Sequence, residues 1–302
     1  MTKPITVDGA LLRSMPLPEP GDGGGKEERG RVLVVGGSRE LPGAVLLAGT
    51  AALRAGAGKL QIGAPASLGI PLGLAVPEAM AAGLAENESG SLAVEAAERI
   101  VELGNKCRAV LIGPGLDEDD DTERLTRAVL EGLDGPPIVL DAASMMRIAS
   151  CREALARQAG RLLITPHTGE MAGILDIDKE EIEADPAATA LRAARDLGII
   201  VVLKGSCSFI ATPDGQRWSC SHGNVGLATS GSGDTLAGFM TGLLGRGAEP
   251  VQAALWSVFL HGEAGNRLAR SVGPLGYLAR ELLREIPGIM ADLRHDGTGE
   301  RP

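Results

Sequence analysis

The sequence predicts a single α/β domain over residues 1–302, with a mostly parallel sheet covered by helices on both faces. Short apolar runs typical of buried strands alternate with helical patterns, which is the order expected for a parallel sheet. The strand-like runs lie at 31–36, 60–62, 109–112, 138–140, 162–164 and 199–203. Helical patterns lie at 92–103, 122–133 and 187–197, and helices dominate from 234 to 286. With 302 residues, 44% of them hydrophobic, and no repeat or clear linker, one large core is expected.

Outside this alternation, the sequence predicts a hairpin at the edge of the sheet. Residues 208–211 and 216–219 flank Thr212-Pro213-Asp214-Gly215, a strong turn signal. Both termini are expected to be partly flexible, over residues 1–30 and 292–302. The first contains a polar, glycine-rich loop and the second is a charged tail.

Composition narrows the functional classes. The four cysteines show no Cys-x-x-Cys spacing, so we expect reduced thiols in a cytoplasmic protein rather than a zinc site or disulfides. A net charge of −10 argues against nucleic acid as a partner. No apolar run is long enough to span a membrane, and the first residues lack the pattern of a signal peptide. Aromatic residues make up 2%, so a bound purine would lie between aliphatic side chains and backbone.

The segment from Asn224 to Gly238 is the strongest functional signal. Gly231-Ser232-Gly233-Asp234 precedes the apolar spacing of a helix buried on one face. Backbone N–H groups of the glycine turn, backed by the helix dipole, would bind an anion such as a phosphoryl group. Asp234 could take the proton of an attacking hydroxyl. The tetrapeptide alone is weak evidence, since an acidic helix start in a glycine-rich chain has the same pattern.

Further polar or glycine residues follow the predicted strands, where a parallel sheet places its ligands. These strand ends are Gly113-Pro114-Gly115, Asp141, Thr165-Pro166-His167-Thr168-Gly169-Glu170 and Lys204-Gly205-Ser206. Each charged residue alone is more often a helix cap or a solvated charge. Four such strand ends together with the Gly-Ser-Gly-Asp turn favour a ligand site.

In this order, these segments resemble the ribokinase-like superfamily, and more closely the NAD(P)H-hydrate dehydratase family. The resemblance runs from about residue 30 to 283 and includes Gly36-Gly37-Ser38, Pro42-Gly43-Ala44 and the run 51–58. It implies a three-layer α/β/α fold and repair of hydrated nicotinamide cofactors. Three positions depart from the family pattern: Ser230 replaces Gly, Thr168 replaces Pro, and Ala143 replaces Asp.

The resemblance also implies a reaction and its residues. The S form of hydrated NADH or NADPH would be phosphorylated on its C6 hydroxyl by ADP or ATP, and phosphate would then be expelled. Asp234 would be the base and Gly231, Ser232 and Gly233 the anion hole. The set Ala44, Gly115, His167 and Asp234 would contact the hydrated cofactor. The donor nucleotide would lie along Lys204, Gly205, Ser206, Cys207, Ser208 and Gly233. Glu170 would hold Mg²⁺ through water, and relatives suggest a homotetramer.

Three other functions remain open from the sequence. A kinase of the same fold would stop at the phosphate ester of a vitamin-like alcohol, although the Gly36-Gly37-Ser38 and Pro42-Gly43-Ala44 elements favour the repair enzyme. A non-catalytic nucleotide-binding protein would not need Asp234. A hydride-transferring dehydrogenase is the weakest of these, because the first strand lacks the Gly-x-Gly-x-x-Gly fingerprint.

Overall fold

The computed structural model describes residues 3–19, 21 and 25–295. These residues form one sheet and flanking helices. The strands are β1 (Ile5–Thr6), β2 (Arg31–Val35), β3 (Lys59–Pro65), β4 (Ala79–Leu84), β5 (Ala109–Ile112), β6 (Ile138–Leu140), β7 (Leu162–Ile164), β8 (Ile200–Leu203), β9 (Ser208–Ala211) and β10 (Arg217–Cys220). Their order across the sheet is β1-β10-β9-β8-β7-β6-β5-β2-β3-β4. Only β9 runs antiparallel to its neighbours within this described sheet.

Helices cover both faces of this sheet. They are α1 (Gly9–Ser14), α2 (Pro42–Arg54), α3 (Ala66–Ala75), α4 (Ala97–Gly104), α5 (Asp120–Gly132), α6 (Arg152–Arg157), α7 (Thr168–Leu175), α8 (Lys179–Ala184), α9 (Pro186–Leu197), α10 (Ser232–Gly245), α11 (Pro250–Ser271) and α12 (Ala279–His295). Along β2, Val32 and Val34 face the core formed with α2, α10 and α11, whereas Leu33 and Val35 face the core formed with α4 and α5. Alternate side chains of one strand therefore enter two cores, which confirms the predicted three-layer arrangement.

The predicted hairpin is confirmed as β9 and β10, whose residues Phe209 and Ser219 are paired. A two-residue strand, β1, adds to the outer side of β10 in parallel. At the opposite edge lies β4, which the sequence did not predict because it consists mostly of alanine, glycine and methionine. The helical pattern at 92–103 divides into a 3₁₀ turn, Val94–Ala96, and α4.

The partial flexibility of the termini stays a prediction, although the described parts of both termini form regular structure. Residues 1–30 contain β1 and α1, and α1 is capped by the Asp8 carboxylate, which accepts from the Leu11 amide at 2.8 Å. Helix α12 continues through His295, past the expected start of the charged tail at 292. Residues 1–2, 20, 22–24 and 296–302 lie outside the described residues. In the part of the chain that is described, no helix is both long and apolar enough to cross a membrane.

The strand order determines where chemistry can occur. Strands β5, β6, β7 and β8 are parallel neighbours, so their carboxyl ends lie side by side at one edge of the sheet. All fourteen of their residues are buried, which explains why each strand is an uninterrupted apolar run. The residues immediately after these strands are those predicted from the sequence to contact ligands.

Candidate functional site

A buried ion pair lies at the carboxyl ends of β6 and β8. Asp141, only 2% exposed, accepts hydrogen bonds from Thr165 Oγ1 at 2.6 Å and from Lys204 Nζ at 3.0 Å. Lys204 Nζ also lies 3.8 Å from Glu170 Oε2. Burial lowers the pKa of Lys204, but the charges of Asp141 and Glu170 outweigh it and raise that pKa overall. Lys204 is therefore a cation held in a largely desolvated position.

His167 and Glu170 form the capping box of α7. His167 Nδ1 accepts from the amides of Gly169 at 2.9 Å and Glu170 at 3.2 Å, and Glu170 Oε2 accepts from the His167 amide at 2.7 Å. A nitrogen that accepts from two amides carries no proton, so a neutral His167 has its hydrogen on Nε2. The imidazole is 60% exposed. His167 is thus a helix cap whose Nε2 edge remains accessible, and its contact to a substrate stays a prediction.

The first turn of α10 has the geometry that its glycines suggested. Gly231 adopts φ +84°, and a β-carbon there would lie 2.6 Å from Leu47 Cδ1, so the position requires glycine. The Ser232 amide donates to Thr229 O at 3.2 Å. Within the described residues, the amides of Gly233 and Asp234 donate to no protein acceptor. Helix-terminal N–H groups of this kind are available for an anion.

Asp234 lies in this first turn and is partly buried. Burial, and next the negative charge of Asp141, raise its pKa to about 6, although Lys204 acts in the opposite direction. A carboxyl group with this pKa is mostly ionised at pH 7 yet basic enough to accept a proton efficiently. The fold therefore brings together several charged side chains: Asp234 of α10, Asp141 directly after β6, Lys204 directly after β8 and Glu170 of α7.

Two segments predicted to contact a hydrated cofactor also meet. After β2, Gly37 adopts φ +82° and its amide donates to Pro114 O at 2.8 Å. Gly115 adopts φ +75°, and a β-carbon there would lie 3.0 Å from Ala44 Cβ. The predicted pair Ala44 and Gly115 is thus adjacent. A side chain at position 115 would fill the space between the two loops.

The other predicted residues lie in the loop that joins β8 to β9 and at Ser208, the first residue of β9. Gly205 and Ser206 are exposed, while Cys207 and Ser208 are partly exposed. The loop begins at Lys204, whose amide donates to Pro166 O at 2.7 Å. It therefore extends from the ion pair outward, and its role in binding a nucleotide stays a prediction.

Sequence reasoning missed His261, which lies in α11. Its Nε2 is 2.9 Å from Ser232 Oγ and 3.1 Å from Ser232 O. Burial lowers the pKa of this imidazole to about 4, so it is neutral at pH 7. The signal available in the sequence was a histidine within an apolar helical stretch, which does not identify its partner.

None of the three departures from the family pattern disrupts the local backbone. Ser230 does not adopt positive φ, since the described non-glycine residues that do so are Ala142, Arg147 and Asp176. Thr168 occupies the first position of α7, which His167 caps. Ala143 is buried in a 3₁₀ turn directly after Asp141.

Comparisons with known proteins agree with this geometry. The family model described as NAD(P)H-hydrate dehydratase matches residues 32–288. An ADP-dependent (S)-NAD(P)H-hydrate dehydratase of Xanthomonas campestris is 46% identical over 94% of this chain and 96% of its own length. A bifunctional NAD(P)H-hydrate repair enzyme of Moorella thermoacetica is 38% identical over 93% of this chain, which spans only 53% of that relative.

A solved structure shows the same relationship. The ADP/ATP-dependent NAD(P)H-hydrate dehydratase of Bacillus subtilis, co-crystallised with ATP and Mg²⁺, superposes with a TM-score of 0.82 at 29% identity. The superposition covers 97% of this chain and 100% of the B. subtilis chain. The family model matches most of the sequence, the fold is shared with the B. subtilis enzyme, and Asp234 lies in the glycine turn. The chain therefore belongs to the NAD(P)H-hydrate dehydratase family.

Proposed function

We propose that this protein dehydrates the S form of hydrated NADH and NADPH at the expense of a nucleotide, with ADP as the donor. One observation carries the proposal: Asp234, with its pKa raised to about 6, lies in a helix turn whose Gly233 and Asp234 amides are free of protein acceptors in the described structure. This arrangement suits transfer of a phosphoryl group to a hydroxyl. The ADP-dependent relative supports the choice of donor.

The first step is transfer of phosphate to the C6 hydroxyl. The Asp234 carboxylate takes the hydroxyl proton while the oxygen forms a bond to the β-phosphorus of ADP. The bond from that phosphorus to the bridging oxygen breaks, and AMP leaves. The amides at the start of α10 and the Lys204 ammonium stabilise the negative charge on the transferred group. Asp234 is mostly ionised at pH 7, so the base is ready before the substrates bind.

The second step converts a poor leaving group into a good one. The ring nitrogen supplies electrons as the C6–O bond breaks, and inorganic phosphate leaves. Loss of a proton from C5 then forms the C5–C6 double bond of the reduced nicotinamide. The balanced products from ADP are NADH or NADPH, AMP and phosphate.

Substrate contacts follow from the adjacent loops. Ala44 and Gly115 approach each other at the rim of the same edge of the sheet, and the accessible Nε2 edge of His167 lies beside Glu170. We assign this rim to the hydrated cofactor. The loop from Lys204 to Ser208 begins at the ion pair and extends outward, as a nucleotide with its phosphate innermost would require.

The residues fit Mg²⁺ only if phosphate oxygens supply most of its ligands. Within the described residues, no group of three or more metal-binding side chains occurs. Glu170 uses Oε2 to accept the His167 amide, which leaves Oε1 for a water of the ion. Such sparing use of protein carboxylates is usual for Mg²⁺ at nucleotide sites. When bound, Mg²⁺ would neutralise donor phosphate charge.

We also propose a homotetramer in the cytoplasm. Exposed apolar side chains support self-association: Ile70 and Leu74 of α3 are each 79% exposed, and Met80 of the edge strand β4 is 44% exposed. The described cysteines are all free thiols, as expected in a reducing compartment. Light scattering after size-exclusion chromatography tests the first part, and a monomer would contradict it.

A product assay tests the function. The protein is incubated with hydrated NADH, Mg²⁺ and either ADP or ATP, and the absorbance of reduced nicotinamide is followed together with AMP and phosphate. The proposal predicts recovery of NADH with equimolar AMP and phosphate when ADP is present. Accumulation of a stable phosphorylated compound would instead indicate a kinase. Binding of nucleotide without turnover would indicate a non-catalytic protein.

A further inference from the structure

Asp141 is a buried charge whose role the proposed reaction does not yet use. With 2% of its surface exposed, its carboxylate is too deeply placed to contact a substrate. It makes its hydrogen bonds to Thr165 Oγ1 and Lys204 Nζ. A carboxylate removed from water is costly unless it is paired, so the Lys204 ammonium is the main reason it can remain charged.

The position of that ammonium connects Asp141 to the reaction. A methyl group placed on Gly233 would lie 3.3 Å from Lys204 Nζ. The ammonium therefore lies beside the turn whose amides would bind the transferred phosphoryl group. The hydrogen bond to Asp141 at 3.0 Å is shorter than the 3.8 Å separation from Glu170, so Asp141 is the closer anchor.

We propose that Asp141 is a positioning residue for phosphoryl transfer, which holds the Lys204 ammonium beside Gly233 and presents its negative charge to Asp234. This inference rests on the proposed function. It separates two roles at one edge of the sheet: Lys204 touches the transferred group, whereas Asp141 acts only through its neighbours. A long, flexible lysine side chain is otherwise free to sample several rotamers.

The charges around Asp234 support this role. Three charged groups act on it: Asp141 and Glu170 raise its pKa, and Lys204 lowers it. From α11, His261 contacts Ser232 of this turn, and burial keeps it neutral. From α2 and α12, the side chains at this turn are Leu47 and Ala279, which carry no charge. Removing the charge of Asp141 must therefore lower the pKa of Asp234.

The decisive variant is Asp141→Asn, which keeps the size of the side chain and removes its charge. We expect kcat to fall about tenfold or more because the ammonium is no longer fixed at the transferred group. The acidic limb of the kcat/KM profile should move to lower pH, since Asp234 loses a like-charged neighbour. A merely structural loss would reduce activity at every pH and leave the limb in place. Thr165→Val is the matched control: it removes a neutral hydrogen bond to the same carboxylate and should not move the limb.

Two further measurements keep the inference testable. If Asp141→Asn folds poorly, the charge-free pair Asp141→Asn with Lys204→Met should fold, and removing the Asp141 charge should reduce kcat much less in the Lys204→Met background than in the wild type. A loss of equal size in both backgrounds would overturn the inference. The ¹³C resonance of the Asp234 carboxyl group should titrate at lower pH in Asp141→Asn than in the wild type, whether or not substrate is turned over. An unshifted titration contradicts this inference, whereas absence of wild-type turnover contradicts only the proposed function.

Discussion

Replacing Asp234 by asparagine should destroy activity and stabilise the fold at the same time. The amide fills the same space but accepts no proton, and loss of a general base costs about 10²–10⁴-fold in rate. Binding of the nucleotide should be nearly unchanged. The increase in stability follows from burial, which raises the pKa of Asp234 to about 6 from its ordinary value of 3.8.

The sign and size of that stabilisation follow from proton linkage. Between the unfolded and folded pKa values the folded protein binds more protons, so the wild type loses stability as pH rises through this window. Above pH 6 the loss is complete and amounts to about 3 kcal/mol, at 1.4 kcal/mol for each unit of pKa. The asparagine variant carries no such charge. Its free energy of unfolding should exceed that of the wild type by about 3 kcal/mol at pH 7 and by less than about 1 kcal/mol at pH 4.

Urea unfolding at the two pH values measures the difference, with turnover measured on the same samples. A variant that retains more than about a tenth of the wild-type rate would show that another group takes the proton. A variant that is no more stable than wild type at pH 7 would show that the charge of Asp234 is well solvated. Either result would contradict the proposal that Asp234 is a buried carboxylate that acts as the base.

Three other substitutions test the surrounding turn and ion pair. Gly231→Ala should lower the free energy of unfolding by at least about 1–2 kcal/mol. Alanine is strained at φ +84°, and its β-carbon would lie 2.6 Å from Leu47. Unchanged urea unfolding would contradict this prediction. Gly233→Val should reduce kcat far more than stability, since a β-carbon there meets only the movable end of Lys204 and the valine methyls would crowd the anion position. A destabilised protein whose folded fraction keeps its kcat would assign the glycine to packing. Lys204→Ala should raise the KM for the donor by about 10–100-fold, corresponding to a lost contact with a charged phosphate. It should also move the acidic limb of kcat/KM to higher pH, because Lys204 lowers the pKa of Asp234; an unchanged donor KM and limb would return Lys204 to a structural role.

The sequence predicted the parts of the fold in which local pattern and burial agree. Strands β5 to β8 are apolar throughout because both of their faces are covered, and three of them have the predicted bounds. Strand β4 escaped because Ala79–Leu84 contains no β-branched residue. Strand β1 escaped because two residues, Ile5 and Thr6, provide no periodicity.

The parts of the candidate site whose residues are close together in the sequence were predictable. The parts that depend on the order of strands in the sheet were not. Gly231, with its positive φ, and the proposed base Asp234 lie within one turn that the sequence identifies directly. Asp141 and Lys204 are 63 residues apart, and their hydrogen bond exists only because β6, β7 and β8 are neighbours. The sequence therefore predicted Lys204 as a ligand contact but could not reveal the carboxylate to which it hydrogen-bonds.

In the proposed reaction the C6 hydroxyl oxygen leaves as part of phosphate, and an oxygen label on this hydroxyl follows it. Hydrated NADH that carries ¹⁸O in this hydroxyl is turned over with ADP, and the phosphate and water are analysed by mass spectrometry. Because the hydroxyl oxygen forms the new bond to phosphorus and the C6–O bond then breaks, we expect one ¹⁸O atom in each inorganic phosphate. Label found in water, with none in phosphate, would show direct loss of hydroxide and contradict phosphoryl transfer at this site.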